Sequence, residues 1–265
     1  CVQDCALCHT IINKLQIISN NKGMANVCYV PLSFIFLRGQ GIKIFSLVAK
    51  ESKDEDTLIP VIKYSQEEKK TQSVDGIIPY NFSNKFTPDD ADEEAIENDG
   101  GYEGAIVLKP KPGIYIKKPV TVLDYASLYP SSMISENLSH DSIVLDEKYL
   151  GDEGIERLKK LGFGYVDITH DVFKWKDPKI KSKGKEKIGV KTCRFVQPPN
   201  EEKSIIPKIL MKLLKARKET RGKIKTAETE FTKGVLDGLQ LAYKLTANSL
   251  YGQIGARTSQ IYLKD

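Results

Sequence analysis

Apolar positions recur at helical spacing from Val2 to Leu15, so the pattern predicts a helix at the start of the chain. The run Ile42-Lys43-Ile44-Phe45-Ser46-Leu47-Val48 reads as a helix end or a buried strand. Two runs of strand character, Ala105–Leu108 and Val120–Leu123, flank Lys109-Pro110-Lys111-Pro112-Gly113. Apolar and β-branched residues bounded by Pro and Gly are the signature of strands. A helix is expected to start near Pro130, because proline is tolerated in a first turn. Over roughly the last sixty residues the period is helical throughout. Ile205, Ile209, Leu210, Leu213 and Leu214 form one stripe, with Pro207 in its first turn. Val235, Leu239, Ala242, Leu245, Ser249 and Leu250 form a second, whose start is blurred by Lys233-Gly234 and Asp237-Gly238. Two long helices joined by a short basic turn make an αα-hairpin. No run of about eighteen apolar residues occurs, so no membrane span is predicted.

The polar segments divide this pattern. Asp89, Asp90, Asp92, Glu93, Glu94, Glu97 and Asp99 crowd into one stretch ending at Gly100-Gly101, which reads as a solvated linker and not as a metal site. Lysines 174, 176, 179, 181, 183, 185, 187 and 191 mark a flexible insertion, suited either to a phosphate backbone or to surface solubility. With 265 residues, 40% hydrophobic and 28% charged, the chain has the profile of one or two globular domains. A net charge of +5 permits a nucleic-acid partner without requiring one. The cysteines number five, and Cys5-Ala6-Leu7-Cys8 has no matching second pair, so reduced thiols of an intracellular protein are the better reading. The first residue is Cys1 with no leader in front of it, so the chain is expected to begin inside a longer protein.

Candidate chemistry gathers in two places. Asp124 ends a predicted strand ahead of a turn and a helix start, where a carboxylate can hold a divalent metal and turn amides can face an anion. Taken alone, such an Asp caps the next turn more often than it binds metal. Lys244, Asn248 and Tyr251 share one helix face by their spacing, and Arg217 and Arg221 stand one turn apart. These cations suit a triphosphate, and solvated helix faces explain them about as well.

The two places together resemble the B-family DNA polymerases. Asp124-Tyr125-Ala126-Ser127-Leu128-Tyr129-Pro130-Ser131 is similar to the family's DxxSLYPS motif, and Lys244-Leu245-Thr246-Ala247-Asn248-Ser249-Leu250-Tyr251-Gly252 to its KxxxNSxYG motif, in the family's order. Weaker matches extend over nearly the whole chain. Cys1-Val2-Gln3-Asp4 resembles the end of the third exonuclease motif, and Arg38-Gly39-Gln40-Gly41-Ile42-Lys43 the segment that follows it in eukaryotic delta-type and large DNA virus enzymes. Tyr102-Glu103-Gly104-Ala105 resembles the template-contacting element between exonuclease and polymerase domains. Cys193-Arg194-Phe195, Ile205-Ile206-Pro207 and Arg217-Lys218 resemble the approach to the fingers, and Arg221 stands where the family commonly has Lys.

The resemblance implies an α+β chain in five parts. These are the C-terminal remnant of an RNase H-like 3'-5' exonuclease domain (1–55), an acidic linker (56–103), the first part of the palm with a mixed or antiparallel sheet and the lysine-rich insertion (104–203), a two-helix antiparallel fingers hairpin (204–252), and a start of the return to the palm (253–265). It further implies two Mg2+ ions on Asp124, one also on the Tyr125 carbonyl, with backbone amides at Ser127 and Leu128 on the β- and γ-phosphates. Tyr129 would lie under the sugar and reject a 2′-hydroxyl. Arg217, Arg221, Lys244 and Asn248 would hold the triphosphate, Lys244 would be a candidate proton donor to pyrophosphate, Tyr251 would lie beside the nascent pair, and Gly252 would belong to the nucleotide site. Asp4 would be a proofreading metal ligand, and Tyr102, Gly104 and Ala105 would touch DNA. The implied partners are primer-template DNA, deoxynucleotides and a sliding clamp or accessory subunits, in the nucleus or at a viral replication site. The second palm carboxylate, in the family's YGDTDS motif, does not occur in this sequence, so the chain alone is expected not to polymerise. The rival reading is a catalytically inactive, polymerase-like scaffold or DNA-binding subunit, and a primase or RNA polymerase is disfavoured by Tyr129.

Overall fold

A computed structural model describes residues 2–59, 108–117, 119–176, 184–256 and 259–263. Four helices come first: α1 (Val2–Lys14), α2 (Ile17–Cys28), α3 (Leu32–Leu37) and α4 (Gln40–Asp54). Then follow α5 (Leu128–Ser135), α6 (Gly151–Lys160), strands β1 (Gly164–Trp175) and β2 (Lys185–Gln197), and two long helices, α7 (Ile205–Thr226) and α8 (Glu230–Ile254). Helix and strand are thus both present, as an α+β class requires. The expected helix near Pro130 is α5, and the expected pair of long helices is α7 and α8.

The chain divides into two compact units: Cys1–Pro60, Gly113–Ile168 and Thr192–Asp265 in one, Val61–Pro112 and Thr169–Lys191 in the other. The core of the first unit is made where α2, α4, α5, α7 and α8 converge. Ile44, Leu47 and Val48 of α4 meet Ile206, Ile209, Leu210 and Leu213 of α7 and Ala242, Ala247 and Leu250 of α8. Both α4 and α7 present these residues at i, i+3, i+4 spacing, the stripe that lets a helix bury one face. That spacing also decides the ambiguous run Ile42–Val48, which lies inside α4 and not in a strand.

Other expectations shift. Val120–Leu123 is exposed and joins no ladder, with Val122 and Leu123 at 86% and 90% exposure. A strand must pair its backbone groups, and among the described residues the one sheet holds only β1 and β2. Part of the lysine-rich insertion is ordered in β2. In the second unit Lys187 pairs with Asp171 at 2.7 Å, and the Lys176 amide donates to the Gly184 carbonyl. In the first unit Ile143 bridges Phe195 in antiparallel register. Leu245, expected in the core stripe of α8, is 44% exposed, because Ala242, Thr246, Ala247 and Leu250 turn inward instead.

Two glycines let α8 approach α2. A Cβ at Gly234 would lie 2.5 Å from Gln16 Nε2, and one at Gly238 would overlap Asn20 Oδ1 and stand 2.6 Å from its Cγ. Asn20 is not free to swing away, since its Nδ2 donates to the Leu15 carbonyl. Gly238→Ala should therefore destabilise this contact by about 1–2 kcal/mol, overpacking outweighing the helix-propensity gain of about 1 kcal/mol. Gly222→Ala in α7, where nothing lies within 4 Å, should stabilise by up to about 1 kcal/mol. Hydrogen exchange over α2 and α8 for the first, and over α7 for the second, reads both signs.

Candidate functional site

Asp124 closes an extended, exposed segment and makes no hydrogen bond or ion pair among the described residues. The chain then turns at Ser127, whose φ of 59° is left-handed, and enters α5. Such a φ in a residue with a Cβ is uncommon and fixes the turn sharply. The Ser131 amide donates back to the Ser127 carbonyl at 3.0 Å, and Ser131 Oγ to the Ala126 carbonyl at 3.2 Å. Tyr125, Leu128 and Tyr129 stay exposed, while Pro130 and Met133 bury the other side of α5. Buried proline and methionine thus anchor the helix and leave its first residues facing outward.

On α8 the inward face of Ala242, Thr246, Ala247 and Leu250 leaves Lys244 and Asn248 on the outer side, with Tyr251 at its border and partly packed on the core. Lys244 and Asn248 are exposed and Tyr251 is half-buried. The Tyr251 ring stacks on the Tyr129 ring, centroids 4.3 Å apart and planes 14° apart. This contact brings the Asp124–Ser131 segment and the Lys244–Gly252 segment together. A Cβ at Gly252 would meet nothing within 4 Å, so open space adjoins the stack.

Arg217 of α7 is tied to the same face by a residue absent from the sequence reading. Its Nε donates to Gln240 Oε1 at 3.3 Å, and Gln240 Nε2 donates to Asp237 Oδ1 at 3.1 Å. Gln240 precedes Lys244 by one helical turn, and that i, i+4 spacing was the available signal. Arg221 lies exposed one turn beyond Arg217.

The basic face of α7 divides in two. Lys212 pairs with Glu51 at 2.7 Å and Glu55 at 3.1 Å, and Lys208 with Glu55 at 3.2 Å and Glu202 at 3.4 Å. Hydrogen bonding to these lysines holds the Glu55 carboxyl below its usual range, and the same acids push both lysines up. Lys215, Lys218 and Arg221, further along, form no ion pair among the described residues, so their charge is open to an anion.

Asp4 sits exposed in the first turn of α1. Tyr102, Gly104 and Ala105 lie outside the described residues, as does the acidic run 89–99. Cys5 and Cys8 are exposed thiols, and Cys28 and Cys193 are buried ones. Among the described residues no group of three or more His, Cys, Asp or Glu side chains is placed to hold a metal, and no helix is long and apolar enough to cross a membrane.

Comparison with known proteins extends this picture. The family profile described as DNA polymerase family B matches residues 30–265. A DNA polymerase of Pyramimonas orientalis virus is 48% identical over 309 aligned residues, covering 100% of this chain and 22% of that protein. The DNA polymerase delta catalytic subunit of Arabidopsis thaliana is 32% identical, covering 98% of this chain and 18% of that protein. The chain therefore spans about a fifth of the length of these relatives. Among solved structures, the family B DNA polymerase of the archaeon Pyrobaculum calidifontis matches 96% of this chain and 24% of its own, with a TM-score of 0.53 at 22% identity.

Proposed function

The chain belongs to DNA polymerase family B, and we propose that in its full-length parent it supplies the nucleotide-gripping part of a template-directed DNA polymerase site. The reaction is transfer of a deoxynucleotide to a primer 3'-hydroxyl. The observation that carries the reading is the Tyr129–Tyr251 stack, which joins the carboxylate turn to the cationic face of α8.

The chain's own groups divide the work. Asp124 and the Tyr125 carbonyl are hard oxygen donors, the kind Mg2+ accepts when one or two carboxylates and substrate phosphates complete its shell. Two bound Mg2+ ions would clamp the attacking and leaving oxygens and neutralise developing charge. The turn at Ser127 and the start of α5 offer backbone amides to the β- and γ-phosphates. Arg217, Arg221, Lys244 and Asn248 grip the triphosphate from the α7–α8 side, and the Lys244 ammonium is the group that gives a proton to departing pyrophosphate. One face of Tyr129 rests on Tyr251, and the exposed remainder is available to the sugar. Open space at Gly252 suits a base pair lying close to the helix backbone.

The same reading gives Asp4 to a 3'-5' proofreading site of the parent, and Tyr102, Gly104 and Ala105 to template contact. It gives the parent primed DNA, deoxynucleotides and clamp or accessory subunits as partners, in a nucleus or a viral replication site. Residues 1–55 then derive from the exonuclease side, 104–203 from the palm and 204–252 from the fingers.

Primer extension by the purified parent in Mg2+ tests the reading, and absence of templated synthesis overturns it. Tyr129→Ala tests the sugar contact within it. Losing the stack costs about 0.5–1.5 kcal/mol for either sugar, so it cancels in a ratio. Discrimination between deoxy- and ribonucleotides should fall by roughly a hundredfold, about 2.7 kcal/mol of differential transition-state binding. An unchanged ratio of kcat/KM values removes Tyr129 from that role.

A further inference from the structure

The start of α7 is capped by another part of the chain. The first four amides of a helix have no intrahelical partner. Ser204, at the N-cap of α7, supplies no side-chain cap of its own. Instead the Ser204 amide donates to Asn137 Oδ1 at 2.8 Å, the Ile205 amide to Asp141 Oδ2 at 3.3 Å, and the Ile206 amide to Ser139 Oγ at 3.3 Å. The fourth position is Pro207, which has no N–H. Lys208 then makes the first intrahelical bond, to the Ser204 carbonyl. Every donor at this helix start is accounted for, and all three acceptors come from the loop that follows α5.

That loop is itself tied by hydrogen bonds. Asn137 is fully buried and takes a left-handed φ of 55°, which Asn tolerates better than most residues. Its Nδ2 donates to the Val196 carbonyl at 3.0 Å and to Ser204 Oγ at 3.1 Å. Ser142 Oγ donates to the Asn137 and Ser139 carbonyls, and Ser139 Oγ donates to Asp141. His140 holds the chain that leaves α8: its Nε2 donates to the Ile261 carbonyl at 3.0 Å. Burial pushes the His140 pKa down, which favours the neutral ring, and its Nδ1 is buried without a partner. Both feet of the α7–α8 hairpin thus rest on residues 137–142, directly after the helix that carries Tyr129.

The geometry points to Asn137 and Asp141 as positioning residues that set the angle of α7, and with it the reach of Arg217 and Arg221 toward a bound nucleoside triphosphate. The inference rests on the polymerase reading. Its leverage is simple: Arg217 lies roughly 18 Å along α7 from Ile205, so a tilt of about 5° at the base moves it by ~1.6 Å. A displacement of that size takes a guanidinium out of hydrogen-bond range of a phosphate oxygen, which weakens nucleotide binding.

The test uses the full-length parent with Asn137→Ala, Asp141→Ala and Asp141→Asn. In Asp141→Ala the Ile205 and Ile206 amides should exchange faster, KM for deoxynucleotides should rise roughly tenfold with kcat and primed-DNA affinity within about twofold, and Asp141→Asn, which keeps an acceptor oxygen, should restore KM. Asn137→Ala should show the same split more strongly. If it fails to fold, the exposed Asp141 pair of variants decides alone. Faster exchange at Ile205 and Ile206 with unchanged KM overturns the positioning role, and so does unchanged exchange. Asp124→Ala run alongside separates the two levels: synthesis that survives it defeats the polymerase reading itself, whereas its loss together with an unmoved KM in Asp141→Ala defeats only the present inference.

Discussion

Asp124→Ala in the full-length parent enzyme is expected to lower templated deoxynucleotide incorporation by at least about a thousandfold, equivalent to ~4 kcal/mol of transition-state stabilisation. The effect should be chemical and not structural. Asp124 is exposed and holds no hydrogen bond or ion pair among the described residues, and surface substitutions of that kind usually stay within about 0.5 kcal/mol of neutral. Thermal unfolding and binding of primed DNA should therefore be close to wild type. Single-turnover extension in Mg2+ measures the loss directly. Synthesis at the wild-type rate would leave only the scaffold reading, in which this carboxylate has no catalytic task. The presence of both Asp124 and Lys244 speaks against that reading, because a subunit without chemistry has no use for a carboxylate and an ammonium in two segments that the Tyr129–Tyr251 stack brings together.

The sequence and structure agree best where one local rule suffices. The stripe Ile205, Ile209, Leu210 and Leu213 needs only the helical period to be read, and those residues are buried in α7. Lys244, Asn248 and Tyr251 likewise needed only i, i+4, i+7 geometry to be placed on one face. The period alone misassigned Leu245, because which side of α8 is buried depends on α2, α4 and α7 closing over Ala242, Thr246 and Leu250. The strand expected at Val120–Leu123 needed a pairing partner, and strand propensity says nothing about where one comes from. The cap on α7 was least legible. Asn137, Ser139 and Asp141 look like ordinary loop polar residues, and their partners stand 67, 67 and 64 positions away. The Lys212–Glu51 pair, 161 positions apart, is hidden for the same reason. Polar contacts between distant segments carry no period, so only the fold reveals them.

The largest loss of stability should follow substitution of Arg194, which sequence reading saw only as part of the approach to α7. Its guanidinium forks onto Asp167, Nε to Oδ1 and Nη2 to Oδ2, both at 2.7 Å. Its Nη1 donates to the Tyr149 and Gly151 carbonyls at 3.0 Å each, and its Cζ lies 4.7 Å from the Tyr165 ring centre. The Arg194 side chain is 7% exposed and that of Asp167 31% exposed, so the guanidinium is withdrawn from water while the carboxylate stays partly hydrated. One residue thereby fastens β2 to β1, to the 3-10 turn at Glu147–Tyr149 and to the start of α6. Removing Arg194 leaves two carbonyls without donors and a partly hydrated carboxylate without its partner, at a cost of about 1–3 kcal/mol. Arg194→Ala should reach that range, and Arg194→Lys should recover less than half, since an ammonium cannot reproduce the fork. The pair also has a pH signature. The Arg194 hydrogen bonds hold the Asp167 pKa below its usual range, against a smaller opposing effect of burial. A carboxyl whose folded pKa is depressed adds stability that is complete above its unfolded pKa and disappears as pH falls through the folded one. Wild-type protein should therefore lose part of its stability on acidification below the ordinary carboxylate range, and Arg194→Ala should lose correspondingly less over the same interval. Hydrogen exchange at residues 164–168 and 192–197, followed as a function of pH, measures both effects in one experiment. Equal acid sensitivity in the two proteins would show that Asp167 draws no stability from Arg194.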